Sequence, residues 1–74
     1  MTLSEANELW YEMKPIDGVM FCYNDSVRIK SGEYAGNGAS VISLVALAPV
    51  TYLVELGATG EDVIIAESNL EELL

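Results

Sequence analysis

The first apolar positions of the chain recur at the three- and four-residue spacing of an α-helix. Within residues 1–14 they lie on one face, and glutamates lie on the other. Thr2 and Glu5 have the spacing of a capping box, with Ser4 as an alternative cap, and Pro15 predicts the end of the helix. We therefore expect an N-terminal amphipathic helix that packs on the rest of the chain. Its apolar face consists of Leu3, Ala6, Leu9, Trp10 and Met13.

After residue 18 the pattern changes to two-residue alternation and short β-branched runs, which are typical of strands. The long third run is expected to be bent or bulged and to end near Pro49, and the glycines of GATGED predict a hairpin loop. The tail, residues 67–74, predicts a 3-10 or α-helical turn whose leucines, Leu70, Leu73 and Leu74, pack back on the core. The predicted strands cover residues 19–23, 26–30, 39–48, 50–56 and 62–66.

Five short strands with close turns leave no room for a crossover helix. The economical arrangement is a mainly β fold, a small closed or half-open antiparallel barrel over residues 19–74 with the helix covering one side. An α+β sandwich with an open meander is the alternative. Because 74 residues bury only about 60% of the unfolded surface, a protein partner or a second copy that docks on the domain is also expected.

Charge is distributed very unevenly along the chain. Twelve acidic residues oppose three basic ones, which gives a formal net charge of −9, and no basic residue follows Lys30. Such a surface repels phosphate backbones and anionic lipids, so we expect no nucleic-acid partner and no membrane partner. The charge either serves solubility alone, or it serves docking to a basic partner or mimicry of a nucleic acid.

The chemistry-bearing side chains do not form a recognisable catalytic or metal-binding pattern. Cys22 is the only cysteine and the chain has no histidine, so one chain cannot build a cysteine–histidine nucleophile pair or a zinc site of those residues. Adjacent acids such as Glu61 and Asp62 fit no calcium loop and are typical of solvated charges. We expect no enzyme activity, no cofactor and no metal.

Neither a membrane span nor an export signal is predicted. The longest nearly uncharged apolar run, residues 41–54, is shorter than the roughly 20 residues that span a bilayer. The N-terminal residues carry glutamates where a signal peptide carries basic residues. These features predict a cytoplasmic protein.

Three glycines, Gly32, Gly36 and Gly38, lie in seven residues between two predicted strands. No lysine follows them as in a phosphate-binding Walker loop, and GNGASV lacks the third glycine of a dinucleotide-binding loop and continues as a strand. The glycines therefore predict two turns that reverse the chain, because glycine avoids the Cβ clash at positive φ.

The glycine loop also resembles the KOW motif of SH3-like barrels, in which a VxI strand leads to spaced glycines and a valine. The third glycine position of the motif holds Ala39, with Gly38 one residue early. The segment from Val63 to Glu71 is similar to the last strand and closing turn of small SH3-like domains. This resemblance implies an SH3-like five-stranded antiparallel barrel. The matching positions are Val27, Ile29, Gly32, Gly36 and Val41.

The resemblance implies binding to RNA or to protein, often through basic residues in the glycine loop. This loop carries Glu33, Tyr34 and Asn37 instead, so a protein partner is the better expectation. The predicted partner-binding residues are Tyr34 and Asn37 in the loop and Trp10 and Tyr11 on the helix. The predicted function is a non-catalytic binding module or accessory subunit, with a homodimer left open. The alternative is an acidic inhibitor or mimic, of the immunity-protein or antitoxin type, that covers a basic site.

Overall fold

The computed structural model of the chain describes residues 1–73. Within them, one helix precedes five antiparallel strands of a single sheet, in the order β4-β3-β2-β1-β5. The mainly β prediction is confirmed. The elements are α1 (Leu3–Tyr11), β1 (Ser26–Ile29), β2 (Gly38–Leu47), β3 (Val50–Leu56), β4 (Asp62–Ala66), a 3-10 turn (Glu67–Asn69) and β5 (Leu70–Glu72).

The sheet is open, because the edge strands β4 and β5 do not pair with each other in residues 1–73. The closed barrel is therefore not confirmed. Strand β2 pairs with β1 through its first residues and with β3 along its length. The pairing register of β2 shifts between Val41 and Ser43 and again between Leu44 and Ala46, so the predicted bulged strand is confirmed.

The core lies on one face of this bent sheet, where alternate residues of β1, β2 and β3 and one residue each of β4 and β5 are buried. Helix α1 adds Ala6 and Trp10, and the segment before β1 adds Phe21. None of the described residues is a buried charged or polar residue. Helix and sheet therefore share one apolar core. Its largest fully buried side chains are Tyr52, Ile29, Leu44, Val27, Val41 and Val54.

The helix begins at the predicted capping box. The Thr2 hydroxyl accepts a hydrogen bond from the Glu5 N–H (3.1 Å), and the Glu5 carboxylate accepts one from the Thr2 N–H (2.9 Å). The hydrogen bond from the Thr2 backbone, followed by the one from its side chain, lowers the pKa of Glu5. Two of the unpaired N–H donors at the start of the helix are satisfied in this way.

The helix ends at Tyr11, well before Pro15. Met13 takes a left-handed conformation (φ 63°), its N–H donates to the Trp10 carbonyl, and the Lys14 N–H reaches back to Leu9; both distances are 3.0 Å. This is the Schellman closure, which is usually made by glycine. The sequence does not show that a methionine will adopt positive φ and end a helix. The helix end predicted from Pro15 was therefore too late in the chain.

Replacing Met13 by glycine should raise the free energy of unfolding by about 0.5–1 kcal/mol, because a left-handed methionine carries a Cβ clash that glycine lacks. The Met13 side chain is 59% exposed, so little packing is lost. Urea denaturation measures the change. Met13→Ala is the control, since it shortens the side chain and keeps the Cβ. If Met13→Gly and Met13→Ala had equal free energies of unfolding, the positive φ of Met13 would not destabilise the wild type.

The strand predicted over residues 19–23 is wrong. Ile16 and Val19 form an isolated bridge around Gly18 (φ +80°), and the chain then runs as irregular backbone toward β1. The next three amides donate to side chains instead of a neighbouring strand, so no ladder forms. These bonds are Met20 N–H to Glu67 Oε2 (2.8 Å), Phe21 N–H to the Tyr52 hydroxyl (3.1 Å) and Cys22 N–H to Asp25 Oδ2 (2.8 Å).

The fifth strand is formed by the tail of the chain. The predicted 3-10 turn is present at Glu67–Asn69, but Leu70–Glu72 then pairs with β1. Leu70 is buried as expected, whereas Leu73 is 40% exposed and the prediction for Leu74 lies outside the described residues. Residues 1–73 therefore form five strands, as predicted, but the fifth is Leu70–Glu72 and not residues 19–23.

Candidate functional site

The glycine loop between β1 and β2 turns the chain as predicted. Gly32 and Gly36 both have φ +89°, where a side chain would be strained. The Gly36 N–H donates to the Ile29 carbonyl (2.8 Å), and the Ile29 N–H donates to Asn37 (3.0 Å). These bonds close the loop on the end of β1 and fix the position of the residues between them.

The structure brings the predicted loop residues Tyr34 and Asn37 together. Asn37 donates to the Tyr34 carbonyl from its side-chain amide (2.9 Å) and from its backbone N–H (3.1 Å). The Tyr34 ring is half-buried against the core, and its hydroxyl donates to Glu61 Oε2 (3.4 Å). The negative charge of Glu33, followed by that of Glu61, raises the pKa of the Tyr34 hydroxyl. The loop therefore places the Tyr34 hydroxyl beside the carboxylates of Glu33 and Glu61.

Replacing Tyr34 by alanine should lower the free energy of unfolding by about 1–2 kcal/mol, because the half-buried ring covers part of the core. Thermal and urea denaturation measure the loss. Tyr34→Phe is the control, since it keeps the ring and removes only the long hydrogen bond to Glu61, and it should stay within about 0.5 kcal/mol of the wild type. A fully stable Tyr34→Ala variant would show that the ring covers nothing.

The two predicted helix residues differ in exposure. Trp10 is only 2% exposed, and its indole N–H donates to the Phe21 carbonyl (2.8 Å). Tyr11 is 53% exposed and meets the Trp10 ring edge-on at 5.0 Å between centroids. Trp10 is therefore a core residue that packs against Tyr11, whereas Tyr11 is part of the protein surface.

Tyr23, which the sequence analysis did not select, completes this surface. It is 46% exposed, and its ring centroid lies 5.8 Å from that of Tyr11 and 6.1 Å from that of Trp10. The Tyr11 hydroxyl donates to the Ile42 carbonyl of β2 (3.3 Å). We call Tyr11 and Tyr23 the tyrosine patch. No spacing rule connects the two residues, because the turn before β1 brings them together only in the folded chain.

A groove of about 510 Å³ lies beside the turn at Gly18. Its walls include Ile16, Val19, Leu47 and Val50, and the Asp17 carboxylate also lines it.

Within residues 1–73, no three histidine, cysteine, aspartate or glutamate side chains are grouped as metal ligands. None of the helices described is long and apolar enough to cross a membrane.

Comparison with known proteins assigns no family. No family model matches the chain, and no curated protein matches it either. The likeness of the glycine loop to the KOW motif therefore remains a resemblance.

Proposed function

We propose that this chain is a non-catalytic protein-binding module, an accessory subunit that docks on a cationic partner through the tyrosine patch. The observation that carries the proposal is the pair of half-exposed rings, Tyr11 and Tyr23, in contact with each other above the buried Trp10. Tyrosine rings combine a large apolar area with a polar tip and are frequent anchors in protein interfaces.

The patch is preorganised for contact. Trp10 touches both rings from within the core, and the Tyr11 hydroxyl is bonded to β2. A ring that is already held in place loses less conformational entropy when a partner binds, and this loss is one of the main costs of association. The same two residues on a mobile tail would bind more weakly.

Charge supports a cationic partner. The net charge is −9, and two of the three basic side chains are paired with neighbouring acids: Lys14 with Glu12 (3.6 Å) and Arg28 with Glu71 (2.9 Å). Complementary charge accelerates association and discriminates against wrong partners more than it adds affinity. The field around this chain therefore favours basic proteins over nucleic acids.

A second candidate, the acidic inhibitor or mimic, is favoured by a different surface. Glu33 and Glu61 flank the Tyr34 ring, and carboxylates around an aromatic ring are suited to covering a basic active site. Both functions require a protein partner, but they place it on different residues. Variants of the two surfaces therefore separate them.

The test is quantitative affinity capture from the source organism with three immobilised proteins: the wild type, Tyr11→Ser/Tyr23→Ser and Glu33→Gln/Glu61→Gln. If the proposal holds, a specific partner is depleted about tenfold or more on the tyrosine variant, equivalent to about 1.4 kcal/mol, and is retained by the carboxamide variant. The reverse pattern supports the inhibitor. Thermal unfolding of each variant controls for stability, and a partner captured equally by all three contradicts both candidates.

A further inference from the structure

The edge strand β4 offers an unpaired backbone. It pairs with β3 in a regular register from Glu55–Asp62 to Thr51–Ala66, and no strand in residues 1–73 pairs with its other side. The Leu56 N–H donates to the Glu61 carbonyl (2.8 Å), which fixes the alternation of the ladder. Residues 63 and 65 therefore direct their backbone groups at β3. Asp62, Ile64 and Ala66 direct theirs outward.

Apart from the acidic side chain of Asp62, this edge lacks the features that usually protect an edge strand. It has no lysine, no proline and no bulge, and Ile64 at its centre is 66% exposed. The opposite edge, β5, is three residues long and ends in two glutamates, one of which is paired with Arg28. Of the two edges, β4 is thus the one able to accept another strand.

Charge argues against a second copy as the occupant of this edge. Two β4 strands pairing antiparallel about Ile64 would place Glu61 of each copy opposite Glu67 of the other. Like charges directly opposite each other destabilise a strand pair, and each copy also carries a net charge of −9. A partner strand with basic residues at those positions would instead place a positive charge opposite each glutamate, which stabilises a strand pair.

We infer that β4 accepts an extended cationic segment of a protein partner by antiparallel strand addition. An aliphatic residue of the segment lies opposite Ile64, and lysine or arginine residues lie opposite Asp62 and Glu61. The outward N–H and C=O groups provide affinity, and the alternating side chains provide selection. The inference rests on the proposed protein-binding function and adds a second contact surface to the tyrosine patch.

The test uses the intact chain and a capped probe peptide, KTVITKK, whose isoleucine can lie opposite Ile64. Amide hydrogen exchange followed by NMR should show new protection at Asp62, Ile64 and Ala66 and little change at Val63 and Ile65, which already bond to β3. The acidic counterpart ETVITEE should bind at least about tenfold more weakly, and added salt should weaken the binding of KTVITKK. This alternating pattern of protection is specific to strand addition.

Two further probes keep the test independent of folding. Ile64→Pro removes an outward donor without removing a bond to β3, and it should weaken binding about tenfold or more, whereas Ile64→Thr keeps the donor and should bind more tightly than Ile64→Pro. N-methylation of the peptide at its isoleucine blocks a hydrogen bond to β4, whereas N-methylation at its valine does not. This second comparison leaves the protein unchanged.

Three results overturn the inference. Protection at the tyrosine patch or at β5 with β4 unchanged would exclude strand addition and leave the protein-binding function intact. Equal binding of the two methylated peptides would exclude a backbone ladder. The absence of any cationic-peptide binding would remove the charge argument for β4, whereas the protein-binding function itself is tested by the capture experiment and fails only there.

Discussion

Replacing Trp10 by alanine is expected to lower the free energy of unfolding by about 3–5 kcal/mol. The indole is 2% exposed, and its ring contacts those of Tyr11, Tyr23 and Tyr52. Its removal leaves a cavity and deprives the Phe21 carbonyl of its donor. A domain of this size has roughly 4–11 kcal/mol of stability in total, so the variant should be largely unfolded or aggregated.

Urea denaturation followed by circular dichroism measures this loss, because Trp10 is the only tryptophan and its fluorescence disappears with it. Leu3→Ala is the matched control on the same helix, since Leu3 is 39% exposed, and it should cost under about 1 kcal/mol. If Trp10→Ala were as stable as Leu3→Ala, the helix would not be part of the core and would be available as an interaction arm.

The sequence predicted the elements whose signals are local. Strands β1 to β4 follow from alternating or β-branched runs bounded by turn residues, and the start of α1 follows from the capping box of Thr2 and Glu5. The positive φ angles of Gly32 and Gly36 follow from the steric freedom of glycine. Each of these features depends on residues close together in the chain.

Elements that depend on distant partners were not predictable in this way. The segment before β1 reads as a strand, but its amides are bonded by Tyr52 and Glu67, which lie far along the chain. Strand β5 has the composition of a helical turn and becomes a strand because β1 offers it an edge. Tertiary contacts overrode local preference in both cases.

In the candidate site, too, contacts between residues close in sequence could be predicted, whereas contacts made by the fold could not. Tyr34 and Asn37 lie in one tight loop, so their proximity could be predicted from sequence separation alone. Trp10 and Tyr11 are adjacent on a helix, yet only their packing shows that one is buried and the other exposed. Tyr23 entered the site through the fold, because no pattern in the sequence relates it to Tyr11.

Replacing Tyr52 by phenylalanine is expected to cost about 2–3 kcal/mol although the ring is kept. The Tyr52 hydroxyl donates to Glu67 Oε2 (2.5 Å) and accepts from the buried Phe21 N–H (3.1 Å). Phenylalanine leaves that N–H unsatisfied, and a buried unpaired donor costs about 1–3 kcal/mol in addition to the bond lost to the carboxylate. Tyr11→Phe is the control, since its hydroxyl is exposed and makes one long bond, so the change should be within about 0.5 kcal/mol.

The pH dependence of stability tests whether the fold raises the pKa of the Tyr52 hydroxyl. Burial first, and then the Glu67 carboxylate, raises the pKa of the Tyr52 hydroxyl above its ordinary value of 10.0. The folded chain therefore keeps a proton that the unfolded chain releases, so the free energy of unfolding should be insensitive to this group below about pH 10 and should fall as the pH rises further. Tyr52→Phe removes that contribution and should flatten the fall measured by urea denaturation, leaving the smaller part due to Tyr34. Identical slopes in the wild type and Tyr52→Phe above about pH 10 would show that the fold does not raise the pKa of the Tyr52 hydroxyl.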